Sequence, residues 1–173
     1  VSQHPDPAEF RRAVAQYPTG VTVVATRDRT GQVVGMTANS FISVSLSPPV
    51  VLISVMQGRT LRVIEDTGRF AVNVLPACAK DLSNHFAGKP VPGFAPRFDD
   101  VDGPPKVSGS MAYFDCAVDR LMVVNDHTLI LGDVNACTHS DAQPLIFFSS
   151  QYHDLYLQDR PPANDLPNND ARP

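Results

Sequence analysis

Residues 41–46, Phe-Ile-Ser-Val-Ser-Leu, alternate in character with a period of two, and this constrains the fold more than any other stretch of the chain. In an extended strand successive side chains point to opposite faces, so Ile42, Val44 and Leu46 share one face and Phe41, Ser43 and Ser45 the other. The pattern predicts one face in the core and a second, hydroxyl-rich face. Pro48-Pro49 cannot donate ladder hydrogen bonds and mark a corner before the continuous apolar run Val50–Val55. At the other end of the strand, Thr37, Asn39 and Ser40 offer hydroxyls, an amide and free backbone groups to something flat and polar-edged.

The rest of the chain reads as a mainly β protein with a few short helices. Asp6 reads as an N-cap, with Pro7 at the first helical position and Glu9 three residues after the cap. Phe10, Ala13, Val14 and Tyr17 follow at helical spacing until Pro18 stops the helix. The β-branched run Val21–Thr26 pairs with Val33–Ala38 across a turn at Asp28–Gly31. Thr60–Thr67 reads as a helix closed by Gly68, Phe70–Leu75 as a strand, and Ala79–Phe86 as a second short helix with Leu82 and Phe86 four apart. Residues 88–109 hold five prolines and four glycines and read as a long irregular excursion, a length that is usually functional. Met111–Phe148 reads as three strands, and 158–173 as a Pro/Asn/Asp-rich tail, disordered or draped on a partner. Residues 1–157 therefore make one domain. No βαβ rhythm and no G-x-G-x-x-G are present, which argues against a Rossmann domain; a Greek-key barrel is the natural way for so many short strands to hide their edges.

With 43% hydrophobic and 18% charged residues, the chain of 173 can bury a sizeable core. A net charge of -4 and no basic run longer than Arg11-Arg12 argue against nucleic-acid binding. No apolar stretch approaches the roughly 20 residues of a membrane span, and no charged-then-apolar leader is visible. Cys78, Cys116 and Cys137 are odd in number and far apart, which favours reduced thiols in a cytoplasmic protein and small buried side chains. No repeated His/Cys/carboxylate spacing suggests a metal, and no G-x-S-x-G suggests a serine nucleophile.

The stretch T-A-N-S-F-x-S-V-S-L-x-P-P resembles the signature of the flavin reductase-like family. Matches continue in family order: Tyr17-Pro-Thr-Gly-Val-Thr-Val-Val24, Phe70–Leu75, Phe86-Ala-Gly88, Asp126-His127 with Gly132, and Pro144–Phe148 with Tyr152. The similarity spans roughly residues 8–156. It implies an FMN-binding split-barrel fold and an NAD(P)H:flavin oxidoreductase, taking FMN or FAD as flavin and NADH or NADPH as donor. It also implies a homodimer with flavin near the subunit interface and delivery of diffusible reduced flavin to a partner monooxygenase. The alternatives are a flavin-binding electron carrier without nicotinamide oxidation, and a relative that has changed ligand to haem, a deazaflavin or pyridoxal phosphate.

Residue by residue, the resemblance implies that Thr37, Ala38, Asn39 and Ser40 line the flavin edge, and that Phe86, Ala87 and Gly88 close over the ring. Ser54, Val55 and Met56 lead into Gln57-Gly58-Arg59-Thr60, where helix-start NH groups, the Arg59 guanidinium and the Thr60 hydroxyl suit a phosphate. Arg59 stands where the family commonly has a small polar residue. Lys89 and Arg97 are candidates for an adenylate or pyrophosphate. His127, after the turn-forming Asn125-Asp126, is the candidate catalytic residue, with Asp126 or a backbone carbonyl fixing its tautomer. Pro18, Thr19, Gly20, Tyr152 and His127 are expected on the nicotinamide side.

Overall fold

The computed structural model describes residues 4–155, so the tail at 158–173 and the boundary at 157 lie outside the described residues. Helix α1 (Pro7–Val14) starts as expected, with the Asp6 carboxylate accepting from the NH groups of Ala8 and Glu9 at 2.9 and 3.2 Å. After the short strand β1 (Thr19–Gly20), β2 (Thr22–Arg27) and β3 (Val33–Ala38) form the expected hairpin. Asp28 holds its turn by accepting from the NH groups of Thr30 and Gln32 and from the Thr30 hydroxyl. Strands β4 (Phe41–Leu46) and β5 (Pro49–Met56) follow, turning at Ser47–Pro48. Helix α2 (Arg59–Thr67) ends at Gly68, whose left-handed φ of 66° lets its NH return to the Ile64 carbonyl.

Strand β6 (Arg69–Val74) leads through a 3₁₀ turn (Ala77–Ala79) into α3 (Lys80–Phe86). The excursion is irregular as expected, apart from a minimal ladder between β7 (Phe98–Asp99) and β8 (Lys106–Val107). Strands β9 (Ala112–Val124) and β10 (His127–His139) form a long hairpin, and β11 (Leu145–Phe148) and β12 (Gln151–Asp154) a short one. The two-residue strands β1, β7 and β8 are too brief to carry a period, and β12 was not expected from the sequence.

Seven strands form one sheet in the order β3-β2-β6-β9-β10-β5-β4, and β1, β11 and β12 form a second. The seven-stranded ladder does not close. Its two edge strands, β3 and β4, are consecutive in the chain and joined by Asn39 and Ser40. The sheet curls around a core of Val24, Val51, Ile53, Val55, Phe70, Val72, Cys116 and Ile130, capped by Leu61 and Ile64 of α2; Met36 from one edge strand and Phe41 from the other pack on it. On the opposite side of β2 and β6 lies a second core, built from Val21, Val23, Ala25 and Leu75 with Leu82 of α3, Val107 and Leu145.

One expectation is overturned here. Ile42, Val44 and Leu46 are not core residues: they are 57%, 50% and 88% exposed. The opposite face of β4 contributes Phe41 to the core, and a bulge between Ser43 and Ser45 breaks the alternation midway. The cysteines also divide: Cys116 is buried, whereas Cys78 and Cys137 are exposed, so only one is a packing residue. No helix among the described residues is long and apolar enough to cross a membrane.

Close packing depends on Gly132 in β10, where a Cβ would lie 2.5 Å from the Phe70 ring. The excursion is anchored by the fully buried Asn73, whose amide donates to the carbonyls of Val23 and Pro105 and whose oxygen accepts from Val107 NH at 2.8 Å. Asn73→Ala strands two buried backbone groups of the excursion, the Pro105 carbonyl and the Val107 NH, and is expected to cost about 1–3 kcal/mol. Urea unfolding measures the loss, and amide exchange at Val107 should accelerate more than exchange within β9. Unchanged exchange at Val107 would mean that something else anchors the excursion.

Candidate functional site

Strand β3 is an edge strand, so the outward backbone groups of Val33–Ala38 are left outside the ladder. Helix α3 lies against this edge because Gly35 has no side chain: a Cβ there would meet the Val24 carbonyl at 2.9 Å and the Phe86 ring at 3.1 Å. The contact is fixed by hydrogen bonds. The Thr37 hydroxyl donates to the Ser83 carbonyl at 2.6 Å, and the hydroxyls of Ser83 and Tyr152 are 2.8 Å apart. Tyr152 also donates to the Asn84 carboxamide at 3.3 Å, its ring packs on Phe147, and the Lys80 ammonium lies 5.6 Å from its centroid.

These contacts frame a hollow of about 370 Å³ that brings together Thr37, Ala38, Asn39, Ala87, Lys89 and Tyr152. A second hollow of about 510 Å³ joins Pro18, Thr19 and Gly20 with Asn39, Ser40 and Phe41. Asn39 lines both, and no hydrogen bond ties its carboxamide among the described residues. The Thr19 hydroxyl is buried without a partner. Such an orphan in the wall of a hollow is a group for a ligand to satisfy. The Ser40 hydroxyl is not free: it donates to the Ser54 carbonyl at 2.8 Å and accepts from the Ser54 NH at 3.1 Å.

The remaining expected residues are positioned apart from these hollows. In the β5-β10-β9 register, Met56 opposes His127 and His127 opposes Val124; Ser54 opposes Leu129, and Leu129 opposes Met122. Directly opposed residues share a face, so Met56, His127, Val124, Ser54, Leu129 and Met122 lie together on the side away from the core. Val55 points inward and is fully buried, so only its backbone can meet a ligand. Asn125 takes φ 53° in the turn, as its place there requires, and His127 Nδ1 is 2.9 Å from the Asp126 carboxylate. That hydrogen bond holds the Asp126 carboxyl below its usual range and leaves Nε2 of the ring available.

At the start of α2, Arg59 donates to the Gln32 side chain at 2.7 Å and approaches Asp28 at 3.5 Å, so the guanidinium is directed to the β2–β3 turn. Thr60 is buried, and no side chain caps the first turn. Phe86 packs in the second core against Gly35, and Gly88 takes φ 77° beyond the helix end. Lys89 lines the first hollow; Arg97 lines a different one. Ser83, Asn84 and Phe147 in the first hollow were missed. For Ser83 and Asn84 the signal was the polar run Ser83-Asn84-His85 between Leu82 and Phe86; Phe147 carried none beyond its place in the apolar run Leu145–Phe148. Among the described residues no cluster of three or more His, Cys, Asp or Glu could hold a metal.

Residues 14–156 match the model of the flavin reductase like domain. The chain belongs to this family. It is 40% identical over 148 residues to the NADH-dependent flavin reductase StyB of Pseudomonas fluorescens, covering 83% of this chain and 87% of that one. The solved styrene monooxygenase flavin reductase of Pseudomonas putida S12 superposes with a TM-score of 0.81 at 40% identity, over 86% of this chain and 98% of that one. The Streptomyces globisporus NADH:FAD oxidoreductase SgcE6, solved with NAD and FAD fragments, superposes with a TM-score of 0.76 at 34% identity, over 94% and 99% of the two chains. The architecture is a mainly β fold with three short helices.

Ser40→Ala removes both bonds to the Ser54 backbone and is expected to destabilise the protein by about 1–2 kcal/mol. A denaturant midpoint unchanged from wild type would mean that the β4–β5 register does not depend on this hydroxyl.

Proposed function

We propose that this chain is a flavin reductase that oxidises NADH and reduces FAD or FMN, releasing the reduced flavin to a partner monooxygenase. The observation that carries the reading is the β3 edge. Thr37, Ala38 and Asn39 line a slot flanked by α3 and Tyr152, and the unpartnered Thr19 hydroxyl waits on its far side. The relatives' names support NADH as donor, a flavin as acceptor and a monooxygenase as consumer. The residues fit a flavin: a flat slot, an edge strand with open backbone groups, and the free Asn39 carboxamide are what a planar ring with carbonyls and an NH requires.

When bound, flavin and nicotinamide supply the hydride chemistry between them. The chain's own task is positioning and exclusion of water. Thr37 and Tyr152 hold α3 against the strand, Asn39 and the β3 backbone orient the ring edge, and Pro18, Thr19 and Gly20 shape the side where the nicotinamide is received. Ala87 and Gly88 close the end of the slot. The NH groups of the α2 first turn, with Arg59 and Thr60, remain the proposed phosphate seat, reached through Ser54, Val55 and Met56. Tyr152 contributes as a positioning residue, because its hydroxyl is committed to Ser83 and Asn84.

The architecture we assign is the split barrel, with β3 and β4 as the lips of the split, and the assembly a homodimer. Support for the dimer is the uncovered apolar face: besides Ile42 of β4, Met56, Met122 and Val124 are 54%, 50% and 43% exposed. His127 stands on that face, away from the Tyr152 hollow of its own chain, so its catalytic role is exercised toward a ligand at the subunit boundary. Three unpaired cysteines favour a cytoplasmic setting.

Loss of nicotinamide absorbance with NADH or NADPH and with FAD, FMN or no flavin tests the activity. Flavin-dependent oxidation of NADH far above the protein-free rate is expected; flavin binding without turnover would make the chain an electron carrier instead. Asn39→Ala is expected to weaken flavin binding about tenfold, with the fold intact by circular dichroism. His127→Ala should slow NADH-dependent reduction while flavin affinity stays within about twofold of wild type. An apolar-to-charged change, Val44→Asp with Met122→Asp, should halve the mass seen by light scattering. A mass already monomeric in wild type would refute the dimer.

A further inference from the structure

A third hollow stands apart from those framed by β3. It lies between α3 and the excursion, measures about 570 Å³, and is walled by Leu82, Phe94 and Val107 with Cys78, Arg97 and Ser110 at its polar positions. Leu82 and Val107 belong to the second core, so the floor is firmly packed. The volume falls within the range of small-molecule sites, which are mostly apolar with a few convergent polar groups.

Two of its polar groups lack partners. The Ser110 hydroxyl is buried and accepts or donates nothing within the described residues. No ion pair or hydrogen bond engages the Arg97 guanidinium there, and no carboxylate lines the hollow. Asp99 of β7 is already occupied by the Ser108 hydroxyl at 2.7 Å and by the Lys106 ammonium at 3.4 Å. Arg97 is exposed at the rim of the hollow, where its guanidinium has no protein partner and can take an anion that enters.

We propose that this hollow binds a small apolar organic acid, an aromatic carboxylate, with the ring between Phe94 and Leu82 and the carboxylate between Arg97 and the Ser110 hydroxyl. Polar content decides against a nucleotide. A ribose and a base edge need several donors and acceptors, whereas this wall has one free hydroxyl and one guanidinium. The inference stands apart from the flavin reading, because the hollow shares no lining residue with either hollow at the β3 edge.

Cys78 reports occupancy. It is exposed and lines the hollow, while Cys116 is buried and its thiol is pushed up to about 12 by desolvation, which keeps it inert. In full-length protein carrying Cys137→Ser, the rate of Cys78 alkylation by a neutral maleimide is measured with 2-naphthoate, 2-naphthalenemethanol or AMP. Flavin fluorescence quenching is read on the same samples. Saturating 2-naphthoate is expected to slow alkylation at least about fivefold, and Arg97→Gln to weaken that protection about tenfold or more while Arg97→Lys retains part of it. The alcohol should protect far less than the acid. Four results would overturn the proposal: no protection by 2-naphthoate, equal protection in Arg97→Gln, better protection by AMP, or displacement of flavin at the same naphthoate concentrations. Flavin binding that persists alongside Cys78 protection separates this site from the proposed reductase site, whatever the outcome of the turnover assay.

Discussion

Strand β2 has no solvent face over Thr22–Thr26, and the rest of the structure is arranged around that fact. Val24 points into the core inside the curled sheet, while Val23 and Ala25 point into the core beneath α3 and the excursion. A strand buried on both faces must find partners for its backbone and for any polar side chain. Pairing with β3 and β6 serves the backbone. The Thr22 hydroxyl donates to the Ala38 carbonyl and the Thr26 hydroxyl to the Arg69 carbonyl, both at 2.8 Å, so even the threonines tie β2 to its neighbours.

The site follows from this burial. Because β2 needs a cover on its outer side, α3 is drawn across it, and because Gly35 is bare, α3 comes close enough for Thr37 to reach Ser83. The β3 edge thereby acquires a wall. Asn73, on the neighbouring strand, fixes the return of the excursion through Val107, which forms part of the same second core. One set of apolar contacts therefore positions the β3 slot on one flank of α3 and the Arg97 hollow on another. The two share a helix without sharing residues.

Elements with a strong period or a special terminus were legible in the sequence: the capped start of α1, the β2–β3 hairpin, the Gly68 stop, and the turn before His127. The family match likewise identified Thr37, Ala38, Asn39 and Tyr152, which the fold does bring together. What the alternation in β4 could not reveal is which of its faces meets the core. Phe41 alone settles that, by packing on the inner cluster with its ring 5.2 Å from that of Phe114, and the bulge then strands Val44 outside. Roles of individual hydroxyls were equally hidden. Ser40 and Tyr152 look like ligand groups in one dimension, but their hydrogen bonds to Ser54, Ser83 and Asn84 depend on strands and helices remote in sequence.

The exposed face of β4, β5 and β9 bears on how the proposed activity is organised. Four side chains that the register puts there, Ile42, Met56, Met122 and Val124, are about half exposed. Burying the exposed part of each is worth about 1 kcal/mol, so two copies would gain roughly eight. Association itself costs about 4–15 kcal/mol, so apolar burial alone leaves a margin near zero. The balance then rests on the polar groups of the same face, chiefly Ser54 and the Asp126–His127 pair. A ligand held against those groups across the boundary would add its own contacts to the assembled state alone, and so would strengthen the dimer by the same factor that the dimer strengthens its binding. In that arrangement occupancy of the site and pairing of the subunits are one equilibrium, and His127 belongs to both.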